Sequence, residues 1–584
     1  MTSPYQKLSI RFQSVLKKLC PDQGAPIDPL IRRSQDETFG DYQSNVAMGL
    51  AKILKTSPRS LAQKIIDDLD LKDICENVAI AGPGFINMTL SKDFLKKYLL
   101  SIKDDKRLGV SSHGEPLRHV VDFSSPNLAK EMHIGHLRTT ITGEVIARIL
   151  EFQGHAVERV SHVGDWGTQF GMLLEYLLEV ESESLKNPKH FHIQDLQTFY
   201  KVAKERFDHN PEFASAARKR VVLLQSGDEK TKKLWHLFVQ ESSKHCRDIY
   251  EKLGISLQEV GESFYNDRLA DIVKEFQEKG LAVKDQEAIC VFLEGFKNRK
   301  GEPLPMIIQK SDGGYNYSTT DLAALKYRIR ERKADRIIYV TDIRQSQHFQ
   351  MLFMAAKKAT WVEERHRLDH IGYGMILGED RRPFRTREGE IVRLKDVIEE
   401  AVERSRKIIE KNKTMSSEKK EKIANAVGLA AVKYFDLSHN LSSDYVFHWD
   451  HMLAMDGNTG PYMLYAYARI QSIGRKSGVS WDEILKTKTV FLNHPSEIAL
   501  TKILIRFSEI LDSVIHDLRP HDLTDYLYSL CKVFSGFYDK IQGVRVIDAE
   551  TPELKLSRLF LCVLTARTLK LGLDLLSIEV VDEM

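Results

Sequence analysis

One stretch, residues 120–150 (VVDFSSPNLAKEMHIGHLRTTITGEVIARIL), changes from strand-like to helix-like periodicity across a short turn. It predicts a buried strand from Val120 to Phe123, a turn through Pro126 and Asn127, and a helix that opens near His133. A strand that leads into a helix through a small-residue turn forms the ligand-binding half of a βαβ unit. Because the N–H groups and the positive dipole at a helix start favour anions, we expect a phosphorylated ligand here.

Two histidines, His133 and His136, flank Gly135 at the expected helix start. Residues three apart lie on one side of a helical turn, so both imidazoles can face one ligand. Gly135 would leave the backbone open to a flat base or ribose. Imidazole N–H groups aimed at a phosphate would stabilise the charge that develops in a transition state. Paired histidines are also common as surface or cap residues, so the spacing alone leaves both interpretations open.

Length and composition bound the class of protein. The chain has 584 residues, more than one core usually supports, so three or more domains are expected. The net charge is only +3, which restricts any nucleic-acid surface to a local patch. Six scattered cysteines without a C-x-x-C pair argue against structural zinc and disulfides. The chain has no secretory segment and no apolar run long enough to span a bilayer, so we expect a cytoplasmic protein without membrane contact.

The residues around the two histidines resemble a known signature. SPN, then Lys130, then HIGH, then LR resembles class I aminoacyl-tRNA synthetases, and SSPNLAKEMHIGHLR resembles arginyl-tRNA synthetases in particular. The resemblance implies activation of L-arginine by ATP to arginyl-adenylate and transfer to the 3′-terminal adenosine of tRNA specific for arginine, with release of AMP and pyrophosphate. It implies ATP as a substrate with accompanying Mg²⁺ and a monomer, while the cysteine pattern predicts no structural metal. In this family His133, His136 and Lys130 are the catalytic positions.

The expected fold is an α/β class I architecture of three domains. Residues 1–112 combine helical periodicity with a strand after a Gly-Pro-Gly turn, which predicts a small α+β domain. Residues 113–395 form a Rossmann-type catalytic domain with a parallel sheet, interrupted by a charged helical insertion at about 186–285. Residues 396–584 form an all-α domain, which in the family binds the anticodon. The basic residues of the insertion fit either a solvated face or contact with the acceptor stem.

A second strand, Val157 to Val160, precedes a glycine-rich turn in HVGDWGTQFG. With the first unit it predicts a second β-turn-α element, in which Gly164 and Asp165 hold the ribose and adenine of a nucleotide. A lone glycine turn is weak support, but the whole segment also resembles the family. Gly135, Gly164 and Asp165 are therefore candidate ATP-binding residues.

The second half of the catalytic region contains further short β-rich runs, AICVFL, MIIQK, ADRIIYV and HIGYGMILG, which we expect to complete the parallel sheet. Ligands of such sheets collect at the C-terminal strand ends, where polar residues follow the runs. Two carboxylates, an amide and a phenol would suit a guanidinium, which offers five donors and keeps its charge. The resemblance implies that the substrate arginine is held by Asp122, Asn127, Tyr317, Asp321 and Gln345; His348 lies at the same edge.

The loop after HIGYGMILG departs from the KMSK pattern of class I enzymes. Phe384, Arg385, Thr386 and Arg387 stand where that loop belongs, and its second lysine is absent. Arginyl enzymes commonly depart in this way, and the resemblance implies that Lys130 supplies the compensating charge. Phe384, Thr386 and Arg387 remain candidate ATP-binding residues. The similar-looking NKTMSSEKK (412–420) lies in a polar tract without a preceding strand. We therefore do not expect it at the ligand-binding crevice, which lies at the C-terminal ends of the parallel strands.

The residues expected to contact tRNA lie at both ends of the chain. In the family, Phe85 and Asn87 match positions that touch the tRNA corner by stacking and by reading a base edge. GNTGPYMLYAYARIQSIGRK interleaves tyrosines with arginines, which suits splayed bases, although an aromatic stripe on a helix is more often core. The candidates there are Tyr462, Tyr465, Arg469 and, more weakly, Tyr538. The terminal VVDEM departs from the frequent P-x-R-M ending.

Two other functions compete with a synthetase. A noncatalytic tRNA-binding relative would not need His133, His136 and Lys130. A small-substrate nucleotidyltransferase shares the histidine chemistry but has no use for a long helical C-terminal domain. SDGGYNY and FYDK look closer to eukaryotic cytosolic forms of the family, and the source stays open.

Overall fold

The computed structural model describes residues 2–21, 26–34, 36–112, 114–180, 196–385, 392–411, 415–539, 541 and 543–584. The N-terminal region comprises α1 (Pro4–Leu19), β1 (Ile31–Arg33), β2 (Tyr42–Ser44), α2 (Val46–Ile53), α3 (Pro58–Asp68), β3 (Cys75–Ala81), β4 (Phe85–Leu90) and α4 (Lys92–Ile102). Its sheet is antiparallel, in the order β1-β2-β4-β3. The segment TFGDYQSNVAMGLAKIL begins as a 3₁₀ turn and β2, and its second half forms α2.

The central sheet is parallel and carries the catalytic signature. It runs in the order β12-β11-β5-β6-β7 and comprises β5 (Arg118–Asp122), β6 (Ala156–Val163), β7 (Gln258–Gly261), β11 (Arg336–Asp342) and β12 (Arg367–Tyr373). β5 and β6 correspond to the two strands expected from the sequence, although β5 ends at Asp122, one residue before the predicted end. The signature helix α5 (Gly135–Phe152) follows β5, and α6 (Thr168–Val180) follows β6. The predicted β-turn-α units are therefore present.

The helical insertion is shorter than the sequence pattern predicts. Its described helices, α7 (Leu196–His209), α8 (Pro211–Gln225) and α9 (Glu229–Lys252), end well before residue 285. The chain then adds β7 to the parallel sheet beside β6 before α10 (Asn266–Glu278). β7 has only four residues, none of them fully buried, so its apolar pattern is too short to identify in the sequence.

A correction concerns AICVFL and MIIQK. They lie in a separate antiparallel sheet of β8 (Ala282–Asp285), β9 (Ala288–Lys297) and β10 (Pro303–Gln309), not in the parallel sheet. Only Gln286 and Glu287, both with positive φ, join β8 to β9. Such a two-residue turn makes a hairpin, whereas parallel strands need a long crossover. α11 (Tyr317–Arg330), α12 (Ser346–Lys358) and the short β13 (Ile376–Leu377) then complete the catalytic region.

The C-terminal region is helical. It contains α13 (Leu394–Ile409), α14 (Ser417–Leu437), α15 (Trp449–Met452), α16 (Gly460–Ser477), α17 (Trp481–Leu485), α18 (Pro495–Leu504), α19 (Phe507–Asp517), α20 (His521–Phe537) and α21 (Pro552–Leu575), with the two-residue β14 (Tyr445–Val446) paired to β13. Ser and Thr caps open several of them, as at Thr551 of the largely buried α21. Within the described ranges, no helix is both long and apolar enough to cross a membrane.

Buried charges tie α5 to the C-terminal helices. The guanidinium of Arg138, from the GHLR segment, lies 3.0 Å from the carboxylate of Asp436 in α14, and both side chains are almost fully buried. Arg138 also donates to the carbonyl oxygens of Gly374 and Ser443, each at 2.9 Å. The signature helix is thereby fixed against α14 and the segment around β13 and β14.

Candidate active site

The turn after β5 adopts an unusual backbone. Ser124 and Ser125 have φ values of 69° and 46°, in the left-handed region that costs a non-glycine residue about 1–2 kcal/mol. Hydrogen bonds from neighbouring elements hold this turn: the Ser124 N–H donates to Thr139 Oγ1 at 2.9 Å, and the Ser125 N–H donates to Ser161 Oγ at 3.1 Å. Backbone strain of this kind concentrates at ligand-binding sites, where surrounding structure maintains it.

Asp122, expected to hold the substrate, already has a charged partner in the chain. Its Oδ2 lies 2.7 Å from Arg328 Nη2 of α11, and both side chains are buried. Its Oδ1 accepts from Ser125 Oγ at 2.9 Å. The ring of Tyr339 lies 5.2 Å from the Arg328 guanidinium. The carboxylate of Asp122 is therefore paired with an internal guanidinium, a pairing that sequence reasoning missed.

His133 and His136 lie together at the start of α5, with ring centroids 4.0 Å apart. The Gly135 N–H donates to Nδ1 of His133 at 3.1 Å, and the His133 N–H donates to Nδ1 of His136 at 3.0 Å. Burial is the main cause that lowers both pKa values, with the pKa of His136 falling to about 3. A neutral imidazole whose Nδ1 accepts carries its proton on Nε2. Both rings can therefore donate a hydrogen bond without carrying a charge.

Gly135 has a different reason for being glycine than the sequence suggested. A Cβ there would lie 2.8 Å from Cε1 of His133, because the imidazole of His133 folds over this position. The segment before the helix is also paired: the Ile134 N–H donates to the Val392 carbonyl, and the Leu394 N–H donates to the Met132 carbonyl. Gly135 thus leaves room for the ring of His133. The segment before α5 is hydrogen-bonded to the chain at Val392 and Leu394.

The loop after HIGYGMILG, which contains Phe384 to Arg387, is only partly described. Phe384 stacks on Phe447 with centroids 4.7 Å apart, and its N–H donates to the Ile376 carbonyl. Thr386 and Arg387 lie outside the described residues. Lys130 is exposed, and its ammonium lies 4.5 Å from the centre of the Tyr200 ring in α7. The charge of Lys130 contributes, after burial, to the lowered pKa of His133. The lysine thus lies close to the histidine pair.

Gly164 and Asp165 make internal contacts at the second turn. The Gly164 N–H donates to the Pro126 carbonyl, so the turn after β6 is joined to the turn after β5. Both carboxylate oxygens of Asp165 accept from Ser263, at 2.9 Å from its N–H and 2.6 Å from its hydroxyl. A Cβ at Gly261 would lie 1.9 Å from Asp165 Oδ2, so glycine is required there. The carboxylate of Asp165 therefore anchors the chain after β7.

Asp321 stands between two histidines at the C-terminal edge of the sheet. Its Oδ2 lies 2.7 Å from Nε2 of His348, and its Oδ1 lies 3.7 Å from Nδ1 of His162. Tyr317, 61% exposed, packs edge-on against His348. Gln345 is exposed in the 3₁₀ turn before α12. Asp321, Tyr317 and His348 are thus in contact, while Gln345 lies three residues from His348 along the chain.

Asn127 lies in the turn between β5 and α5. It is exposed, its Oδ1 accepts from the Ala129 N–H at 2.9 Å, and its amide donates to Gln169 at 3.3 Å. It forms an isolated bridge with Gly164. Its side chain lies at the junction of the two turns.

Glu262 and His162 are residues that sequence reasoning missed. Burial, followed by the charges of Asp321 and Asp165, raises the pKa of Glu262 to about 7. Nε2 of His162 is buried and has no hydrogen-bond partner among the described residues, and burial lowers the pKa of the His162 imidazole. His162 could have been noticed beside the glycine turn in SHVGDWG. Glu262 could not be identified from the sequence, because it directly follows β7, a strand that the sequence pattern does not predict.

The expected tRNA contacts of the N-terminal region lie on β4. Phe85 is half-buried beside Gly82, where an added Cβ would meet the phenyl ring at 3.3 Å. Asn87 is only 9% exposed, and its Oδ1 accepts from Gln43 at 2.8 Å. Phe85 therefore presents part of its ring, whereas Asn87 is largely occupied within the sheet.

The tyrosines of α16 divide by exposure. Tyr467 is buried and accepts from Gln471, so it belongs to the core. Tyr465 is 43% exposed, and Tyr462 is half-buried near Tyr528. The exposed Arg469 places its guanidinium 5.4 Å from the ring of Tyr538. Arg469 and Tyr538 are thus in contact.

The lysine-rich tract after α13 leads into α14 and contacts the end of the chain. Residues 412–414 of NKTMSSEKK are outside the described ranges; the remainder begins α14. Its Lys419 forms an ion pair with Glu583, and Arg475 donates to the Asp582 carbonyl. The VVDEM terminus is thus bound along the helical region.

Comparison with known proteins assigns the class. Residues 99–449 match the model of the class I (R) tRNA synthetase catalytic domain, residues 463–584 match the DALR anticodon binding domain, and residues 6–90 match the arginyl tRNA synthetase N-terminal domain. Together with the parallel sheet and the histidine pair at α5, these matches define a class I aminoacyl-tRNA synthetase. The predicted fold class is confirmed.

Similar proteins specify the family. Proteins named arginine–tRNA ligase from Nostoc sp. and Crocosphaera subtropica are 49% and 50% identical over 589 and 590 residues, covering all of both chains. The crystal structure of arginyl-tRNA synthetase from Plasmodium falciparum has a TM-score of 0.86 at 31% identity, covering all of both chains. The Thermus thermophilus enzyme shares the fold, with a TM-score of 0.82 at 24% identity over 99% of each chain. The chain belongs to the arginyl-tRNA synthetase family.

Proposed function

We propose that this crevice joins L-arginine to ATP and that the arginyl group then passes to tRNA specific for arginine. The arginine carboxylate attacks the α-phosphorus of ATP, pyrophosphate leaves, and arginyl-adenylate forms. The 3′-terminal adenosine of the tRNA then attacks the adenylate carbonyl, and AMP leaves. Both steps need positioning and stabilisation of charge on phosphate more than a side-chain nucleophile.

The observation that carries the substrate assignment is the carboxylate of Asp321 in contact with His348 at the sheet edge. We propose that a guanidinium approaches Asp321, with the exposed phenol of Tyr317 and the amide of Gln345 contributing hydrogen bonds. Asn127 would bind the arginine backbone from the opposite turn. Asp122 would support the arginine site indirectly, because its ion pair with Arg328 fixes the buried end of β5 beneath the substrate.

The two histidines act on phosphate. Their Nε2–H groups donate to oxygens of the α-phosphate as negative charge develops, and their low pKa values keep both rings neutral at physiological pH. A neutral donor binds a phosphate oxygen less tightly in the ground state than a cation does, so its contribution can be concentrated in the transition state.

Lys130 supplies positive charge to the phosphates in place of the lysine that is absent from the loop after HIGYGMILG, and Phe384, Thr386 and Arg387 are further candidate contacts to ATP. Gly164 brings its backbone close to the adenosine, and Asp165 maintains that turn through Ser263. ATP enters with Mg²⁺ on its phosphates, which is how Mg²⁺ usually reaches such sites.

We further propose the division of labour along the chain. Residues 1–112 contact the tRNA corner through Phe85 and Asn87, residues 113–395 catalyse, and residues 396–584 bind the anticodon through Tyr462, Tyr465, Arg469 and Tyr538. The protein acts as a cytoplasmic monomer. The intact histidine pair favours this function over a noncatalytic tRNA-binding relative, and the helical anticodon-type domain favours it over a nucleotidyltransferase.

Asp321→Asn tests the assignment. Removing the charge from a carboxylate that pairs with a guanidinium should raise the KM for arginine by about two decades, on the scale of a lost charged partner. The KM for ATP should change little. Asp312→Asn, on the exposed loop before α11, is the matched control. An unchanged KM for arginine in the Asp321 variant would remove Asp321 from the substrate site.

A further inference from the structure

The helical insertion contacts both turns of the nucleotide crevice. From α9, Trp235 donates its indole N–H to the carbonyl of Asp165 at 2.7 Å and packs edge-on against Trp166. From α7, the ring of Tyr200 lies 4.5 Å from the ammonium of Lys130 on the first turn. The insertion therefore reaches Lys130 by an aromatic face and the second turn by a hydrogen bond.

Lys130 is poorly restrained by anything else in the described ranges. Its side chain is exposed, and among the described residues its ammonium has neither a hydrogen bond nor an ion pair. A lysine carries a compact charge on a flexible four-carbon stem, and ordering that stem has an entropic cost. An aromatic ring face attracts an ammonium within about 6 Å of its centre, so Tyr200 limits the positions that Lys130 occupies.

We propose that Tyr200 is a positioning residue that pre-orders Lys130 for the phosphates of ATP. The inference rests on the proposed role of Lys130 in phosphate binding. Tyr200 itself touches no reacting atom: it acts by holding the ammonium at the mouth of the crevice before the nucleotide arrives. The insertion, which the sequence offered only as a solvated face or an acceptor-stem contact, thereby supports the chemical site.

Tyr200→Leu and Tyr200→Phe in the full-length enzyme separate the ring face from the hydroxyl. Tyr200→Leu should lower kcat/KM for ATP about two- to five-fold in arginine-dependent ATP–pyrophosphate exchange with tRNA present, the scale of an exposed cation–π contact. Tyr200→Phe should retain wild-type activity, because it keeps the ring. Phe199→Leu is the matched control, since Phe199 packs on Tyr176 and Phe238 within the helical region and not on Lys130.

A double-mutant cycle with Lys130→Met identifies the route of action. If Tyr200 acts through Lys130, Tyr200→Leu adds no further loss in the Lys130→Met background. An equal loss in both backgrounds, an unaltered Tyr200→Leu enzyme, or a gain in kcat/KM for ATP would overturn the proposal. The single variant Lys130→Met separates the two claims. A wild-type rate in Lys130→Met refutes the role of Lys130 in phosphate binding. An impaired rate in Lys130→Met together with a wild-type rate in Tyr200→Leu refutes only the inference about Tyr200.

Discussion

Replacing Arg328 by methionine should destabilise the catalytic region strongly. Arg328 is 2% exposed and its guanidinium lies 2.7 Å from Asp122. The variant therefore leaves a buried carboxylate whose one remaining hydrogen-bond donor among the described residues is Ser125 Oγ. Breaking one side of a buried ion pair costs about 3–5 kcal/mol. Removing both charges, in Asp122→Asn with Arg328→Met, should restore part of the loss, because an uncharged pair of similar size avoids the stranded charge.

Thermal unfolding of the full-length variants measures this effect. At about 2–4 °C per kcal/mol for a domain of this size class, Arg328→Met should lower the midpoint of the catalytic transition by roughly 6–20 °C. Arg330→Met on the same helix is the control, since that side chain is about half exposed and its nearest carboxylate, Glu363, lies 3.6 Å away. Its midpoint should stay close to wild type. An Arg328→Met midpoint equal to that of Arg330→Met would refute the claim that Asp122 needs its internal partner.

Three further predictions concern other buried or catalytic groups. Burial raises the pKa of Glu509 from 4.5 to about 7, so between those pH values the folded protein holds a proton that the unfolded chain has lost, and stability falls as pH rises. Glu509→Gln should abolish this dependence of stability on pH, so that relative to wild type its free energy of unfolding at pH 8 gains about 3 kcal/mol over its value at low pH. Thermal unfolding across this pH range measures the effect, and a pH dependence equal to that of wild type would contradict the prediction. Burial lowers the pKa of Lys433 from 10.5 to about 7, so stability should rise with pH across that window, and Lys433→Met, measured the same way, should flatten the rise. His133→Ala should lower kcat by about two to three decades, on the scale of a lost oxyanion donor, with a smaller change in ATP affinity by equilibrium binding; equal losses would exclude a transition-state role.

Local patterns predicted the catalytic half-units well. The strand before SSPN and the helix after HIGH follow from periodicity, because both lie in the core and their apolar spacing is imposed by burial. The histidine pair was identified by its neighbours in the sequence, and the structure places both imidazoles at the helix start. These features depend on residues close together along the chain.

Long-range pairings could not be predicted. Asp122 and Arg328 meet only because β5 and α11 pack together, and Asp165 meets Ser263 only once β7 joins the sheet. Both carboxylates looked available to ligand in the sequence, but each has an internal partner. β8, β9 and β10 misled in another way: a short apolar run does not distinguish a parallel strand from one arm of a hairpin.

Arginine-dependent ATP–pyrophosphate exchange, with and without tRNA specific for arginine, tests the central claim most directly. We expect exchange that requires arginine and appears when the tRNA is present, because in the family that the sequence resembles the tRNA is generally required even for the activation step. Exchange with arginine alone would keep the reaction but refute that coupling. No arginine-dependent exchange with tRNA present and bound would contradict the proposed activation of arginine in this crevice.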